Sequence, residues 1–252
     1  MVFSKTTELD EIKARARVFV YTDVKFDDEL GVYVTHPFFK TVIDGLQMGN
    51  KVELIDLRKP EDLKKKRSRT IDKINSATSY SQLLSLFRLN FLPAFFKLTH
   101  LCLSADEYSE ALARIWTTVE HPNLDINVKP KEFIKYFRSA RKEKLMNEGE
   151  YQAYKELPDK ITVYRGINDY GSKDGLSWST DIKKAAWFAV RFENNPKLFK
   201  GVISKEDVFA YFSGRGESEL VIDYTKLTDV KEVDIVNNEE NVYESNRISK
   251  KG

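Results

Sequence analysis

Three short segments in the last hundred residues carry side chains whose types and order suit chemistry on a charged substrate. The first is a β-branched run from Ile161 that ends in Arg165 and Gly166, placing a guanidinium at a strand terminus beside a flexible backbone. A planar guanidinium binds phosphate oxygens bidentately. The second is Leu176, Ser177, Trp178, Ser179 and Thr180, small hydroxyls and an indole where a strand leads into a helix. The third is Gly214, Arg215, Gly216, Glu217, Ser218 and Glu219, followed at once by the apolar Leu220, Val221 and Ile222. Strand residues alternate in direction, so Glu217 and Glu219 are expected on one side, about 7 Å apart, with Ser218 opposite. Two carboxylates at the mouth of a sheet suit complementary roles around a cationic transition state. Each segment alone has a plainer reading: a strand-end salt bridge, an N-cap at Ser179 or Thr180 for a helix starting at Asp181, and a polar strand edge.

In this order the segments resemble the Arg–Ser–Glu class of mono-ADP-ribosyltransferases, enzymes of the kind carried by bacterial toxins and some bacteriophages. The matching residues are Arg165, then Ser179 with Thr180, then Glu217 and Glu219, with Ser179 14 positions after Arg165 and Glu219 40 after Ser179. The match covers residues 161–236, under a third of the chain. It implies NAD as co-substrate, no metal, and a split β-sheet core. Arg165 would bind the pyrophosphate, with Gly166, Ser177, Trp178 and Thr180 completing the NAD site. Ser179 would orient Glu219, the catalytic acid, and Glu217 would act on the incoming acceptor. A Glu at position 217 resembles the arginine-modifying subgroup. Residues 208–219 are similar to that family's target-recognition loop, so Tyr211 or Phe212, with Arg215, would contact the target. The third hydroxyl of the family's Ser-Thr-Ser pattern is Asp181 if the alignment starts at Ser179, whereas a start at Ser177 gives Ser-Trp-Ser. The first register is preferred, and either leaves a serine for Glu219.

The function implied is transfer of ADP-ribose from NAD to an arginine of a target protein. The competing readings are an NAD glycohydrolase and a noncatalytic binding module of the same fold. A nucleic-acid acceptor ranks lower, because 41 basic against 39 acidic residues leave a formal charge of +2 and no strong global field. The run Lys64, Lys65, Lys66, Arg67 and Arg69 keeps that option open. The histidines His36, His100 and His121 are far apart and Cys102 is the single cysteine, which argues against a metal site or a disulfide. The first residues lack a basic, apolar leader, and no apolar run reaches the ~20 residues of a bilayer span. These features set the expectation of a cytoplasmic protein with no membrane partner.

The elements that must position the three segments follow from pattern. Runs at 18–24, 32–34, 38–43 and 52–57, rich in β-branched and aromatic residues, predict a small antiparallel sheet or a pair of hairpins. Pro60 with Glu61 and Asp62, a capping box from Ser104 to Glu107, Pro130 ahead of Phe133, Ile134 and Phe137, and a segment from Asn147 to Glu156 predict helices. Past Pro158 the pattern predicts strands at 161–165, up to Ser179, and at 199–204, 208–212, 219–223 and 230–236, with one helix at 181–192. The expectation is an α+β chain: an N-terminal β-rich region at 1–59, a helical lobe at 60–157, an NAD-binding β core at 158–236 and a polar tail at 237–252. Aromatic residues are abundant, with 12 Tyr, 16 Phe and 3 Trp. Trp178 is the best ring candidate for a nicotinamide platform, with Trp187 and Phe188 behind it.

Overall fold

The computed structural model describes residues 3–26, 31–48, 51–169, 171–191, 195–214 and 218–235. The chain divides into two compact units, Met1–Val119 and Glu120–Gly252. The helical block expected at 60–157 is therefore shared between them.

In the first unit, helix α1 (Leu9–Val20) occupies part of the segment expected as strand at 18–24. Its buried residues Ile12, Ala16 and Val20 recur every fourth position, which is a helical stripe. Asp10 and Glu11 in the first turn and Arg17 in the last complement the helix dipole. The β-branched residues near its end suggested a strand, yet Val18 points to solvent. Two antiparallel pairs follow: β1 (Lys25–Phe26) with β2 (Val34–Thr35), and β3 (Ile43–Met48) with β4 (Lys51–Asp56). They close on a core of Val34, Phe39, Val42, Ile55 and Leu57. Helix α2 (Pro60–Ser76) carries the basic run, and the fold uses much of it. Lys65 pairs with Glu53 at 2.8 Å and Lys66 with Asp44 at 2.6 Å. Arg67 donates to the carbonyls of Val20 and Thr22, closing the C-terminal end of α1.

Helices α3 (Tyr80–Leu86), α4 (Leu92–Thr99) and α5 (Ala105–Thr118) complete this unit. Ser104 caps α5 as expected, accepting from the Glu107 N–H, while the Glu107 carboxylate bonds Thr7 rather than returning to Ser104. Many aromatic rings are core here. Phe87 stacks on Phe95 with centroids 4.2 Å apart, and Phe19 meets Phe87 edge-on at 5.4 Å.

The second unit opens with α6 (Pro130–Ser139), α7 (Lys142–Leu145) and α8 (Glu148–Glu156). Phe133, Ile134 and Phe137 are buried on α6, and Asn147 with Glu150 forms a reciprocal capping box on α8. The remainder is a six-stranded sheet of β5 (Lys160–Ile167), β6 (Ser177–Ser179), β7 (Lys197–Ser204), β8 (Val208–Phe212), β9 (Glu219–Ile222) and β10 (Thr228–Val233). Its order is β10-β7-β5-β6-β9-β8, and every neighbouring pair is antiparallel. Strand β5 pairs with β7 along its whole length, from Lys160↔Ser204 to Ile167↔Lys197. With β6 it pairs only at Tyr164↔Ser179. Two well-laddered halves thus meet at one residue pair, one step along β5 from Arg165. Helix α9 (Ile182–Val190) lies on β5, and its N-cap is Asp181, whose carboxylate accepts from the Lys183 N–H at 2.8 Å. The cap expected at Ser179 or Thr180 is therefore corrected to Asp181. Among the described residues no helix is long and apolar enough to cross a membrane. The tail at 237–252 lies outside the described residues.

Candidate active site

Glu219 is the first residue of β9, and the three residues after it are fully buried, so a rigid strand anchors the carboxylate-bearing position. In register with it across the β6–β9 ladder stands Ser179, and across the next ladder Tyr164 faces Ser179. Directly paired residues of antiparallel strands share a face with Cβ atoms about 5 Å apart. Ser179 is only 7% exposed. Its Oγ accepts from the Asp181 N–H at 3.0 Å and donates to the Ser218 carbonyl at 3.4 Å. The same carbonyl also accepts from the Thr180 N–H. The hydroxyl of Ser179 therefore ties the start of α9 to the residue that precedes Glu219.

That preceding residue, Ser218, has φ +48°, a left-handed conformation that costs a non-glycine residue roughly 1 kcal/mol or more. It also corrects the alternation argument for the two acids. Extended backbone begins only at Glu219, so the same-side placement of Glu217 does not follow from strand pleating. Glu217 and Arg215 lie outside the described residues.

Arg165 sits on β5, the next strand over. Its Nε donates to the Ser172 carbonyl at 2.9 Å and its Nη1 to the Ser177 carbonyl. Burial pulls its pKa from the ordinary arginine value down to about 10, while the Glu219 carboxylate pulls the other way. The guanidinium is still cationic at neutral pH. A cation held among neutral carbonyls is incompletely compensated, and an arriving anion offsets that cost. Arg165, Ser179 and Glu219, which the sequence singles out from positions up to 54 apart, thus occupy three adjacent strands of one sheet.

The other expected residues distribute differently. Gly166 faces α9: a Cβ built there would stand 1.8 Å from the Ala185 carbonyl oxygen and 2.6 Å from the Ala189 nitrogen, so bare backbone lets the helix lie on β5. Ser177 is half-buried and contributes its carbonyl to Arg165. Trp178 is 2% exposed, on the face opposite its two serine neighbours, and its Nε1 donates to the Gly175 carbonyl at 2.9 Å. Its indole is core, which corrects the expectation of a nicotinamide platform. Thr180 is exposed beside the site. Tyr211 and Phe212 belong to strand β8 rather than to a turn, and Phe212 is 5% exposed in register with Glu219. Of that pair only the half-buried Tyr211 presents surface to a partner.

Four residues that the sequence did not single out complete the geometry. Ser172 and Gly175 surround the Arg165 guanidinium, Ser218 holds Ser179 and Thr180, and the Asn123 side chain accepts from the Leu176 N–H at 2.8 Å, fastening the entry to β6. A glycine two residues before a Ser-x-Ser strand was a readable signal for Gly175; Asn123, 53 residues upstream of its partner, had none. Among the described residues no three His, Cys, Asp or Glu side chains gather to hold a metal ion. No protein-family model, curated protein or solved structure matches this chain.

Proposed function

We propose that the chain is a mono-ADP-ribosyltransferase of the Arg–Ser–Glu class, transferring ADP-ribose from NAD to an arginine of a target protein. The observation that carries this reading is the convergence of Arg165, Ser179 and Glu219 on β5, β6 and β9, with Ser179 and Glu219 in register. The chemistry of NAD suits these residues. The desolvated Arg165 cation matches a diphosphate, and a carboxylate on a rigid strand matches a ribose hydroxyl beside a developing positive charge.

In the reaction the bond between the ribose anomeric carbon and the nicotinamide nitrogen breaks, and its electron pair leaves with nicotinamide. Glu219 stabilises the oxocarbenium character left on the sugar, and Ser179 holds the neighbouring backbone in place. A guanidine nitrogen of the acceptor forms the new bond to the same carbon and gives up a proton. A free guanidinium keeps its protons at neutral pH, so a base must stand close, and Glu217 takes that role.

A protein acceptor is favoured over nucleic acid because Lys65, Lys66 and Arg67 of the basic run are engaged by Glu53, Asp44 and the end of α1. The test is incubation with labelled NAD and a cell lysate, then mass spectrometry of the modified residue. An arginine adduct is expected, and labelling of nucleic acid instead would overturn the acceptor. Glu217→Gln should abolish protein labelling while release of nicotinamide continues. Equal loss of both would remove Glu217 from its assigned role, and release to water alone in the wild type would make the chain an NAD glycohydrolase.

A further inference from the structure

The loop that returns to β6 does more than connect strands. Gly175 is buried in it, and a Cβ built on this residue would stand 2.5 Å from Arg165 Nη2 and 2.8 Å from Cζ. Non-bonded carbon and nitrogen atoms rest about 3.5 Å apart, so one of the two groups would have to give way. The peptide group that follows the Gly175 Cα is held at both of its polar ends. Its carbonyl accepts the indole N–H of Trp178, a side chain locked in the core, and the next amide, Leu176 N–H, donates to Asn123. The guanidinium is the end of a flexible side chain and is the part that would move. Moving it breaks the hydrogen bonds from Nε and Nη1 to the carbonyls of Ser172 and Ser177.

We infer that Gly175, held by Trp178 and Asn123, is a positioning residue that fixes where the Arg165 guanidinium stands to receive an organic diphosphate. The diphosphate part of this inference rests on the ADP-ribosyltransferase reading; the steric coupling of Gly175 to Arg165 does not. It also gives Trp178 a task that its burial permits: the indole N–H holds the Gly175 carbonyl. Gly175 is not in the left-handed region, so alanine is compatible with its backbone and only the space is at issue.

The test is a double-mutant cycle on the full chain with Gly175→Ala, Arg165→Ala and the combination, read by thermal melting and by calorimetric titration with NAD. Gly175→Ala alone should lower the melting temperature and weaken NAD binding by roughly ten-fold, the scale of one displaced charge-assisted contact. With Arg165 already removed, the added methyl has room, and the melting loss should vanish or reverse. Equal melting losses in both backgrounds would overturn the inference. If Gly175→Ala does not fold, recovery of folding in the combined variant supports the coupling, and failure of both counts against it. The melting cycle needs no NAD. A wild type that ignores NAD while the cycle shows coupling would defeat the proposed function and leave the positioning role standing.

Discussion

Glu219→Gln separates chemistry from architecture more cleanly than any other change at the site. The amide is isosteric, and the strand that carries it is fixed by the fully buried Leu220, Val221 and Ile222, so the fold should be undisturbed. What is lost is one negative charge beside the sugar. A full charge pair about 4 Å apart at an effective dielectric near 20 is worth about 4 kcal/mol, and an oxocarbenium ion carries somewhat less than a full charge at the anomeric carbon. A loss of about 3–4 kcal/mol corresponds to roughly 10²–10³ in rate. The charge also acts on Arg165, where it opposes the effect of burial; without it the guanidinium pKa falls, and an arginine still keeps its charge at neutral pH. Under the proposed function Arg165 would therefore keep its hold on the diphosphate. The expected result is a fall in kcat with KM for NAD unchanged or lower, measured as nicotinamide release and as label transferred to protein, with melting unchanged within about 0.5 kcal/mol. A variant with kcat within ten-fold of wild type, or one whose defect lies wholly in KM, would refute the assignment of Glu219.

Two further predictions address the scaffold. Gly166→Ala should cost about 3 kcal/mol and lower the melting temperature, because its methyl would collide with the backbone of α9 at Ala185 and Ala189; a variant that melts like wild type but fails to bind NAD would instead make Gly166 a ligand contact. His36 is fully buried, stacks on Phe39 at 3.9 Å, and burial lowers its pKa to about 4. The unfolded chain binds the proton first, so stability present above about pH 6.5 is lost as pH falls toward 4, by up to about 3 kcal/mol. Denaturant titrations between pH 4 and 7 check this, and His36→Asn, which retains an acceptor for the Phe38 N–H, should flatten that slope.

Elements with strong local signals were legible from sequence. Strand β8 has the expected bounds, α6 shows its predicted apolar face, and α8 fills the segment expected from Asn147 to Glu156, with Asn147 as its cap. Local pattern failed where tertiary contacts decide. Helix α1 buries only three residues, separated by charges, and its β-branched end resembles a strand until packing fixes which side is inside. Helix α4 and the end of α3 lie in the stretch from Leu83 to Leu103, where hydrophobic residues dominate and no helical period stands out. The basic run on α2 could not be divided into solvated and paired charges, because the nearest acids to Lys65 and Lys66, Glu53 and Asp44, come from β4 and β3.

At the site, residue types and order were readable, while the roles of side chains next to one another required the sheet. Ser177 and Ser179 cannot share the face of Tyr164 and Glu219 unless Trp178 points the other way, since successive strand residues alternate. The assignment of the serines to the site and of the indole to the core is therefore a single choice. Its consequence reaches the cation: once the indole is inside, its N–H needs an acceptor, and the carbonyl it takes belongs to Gly175, whose bare Cα abuts the Arg165 guanidinium. The buried ring and the exposed chemistry are coupled through one backbone group. A Trp178→Phe change, which fills most of the same space but donates no hydrogen bond, would release Gly175 and should disturb Arg165 without touching Ser179 or Glu219.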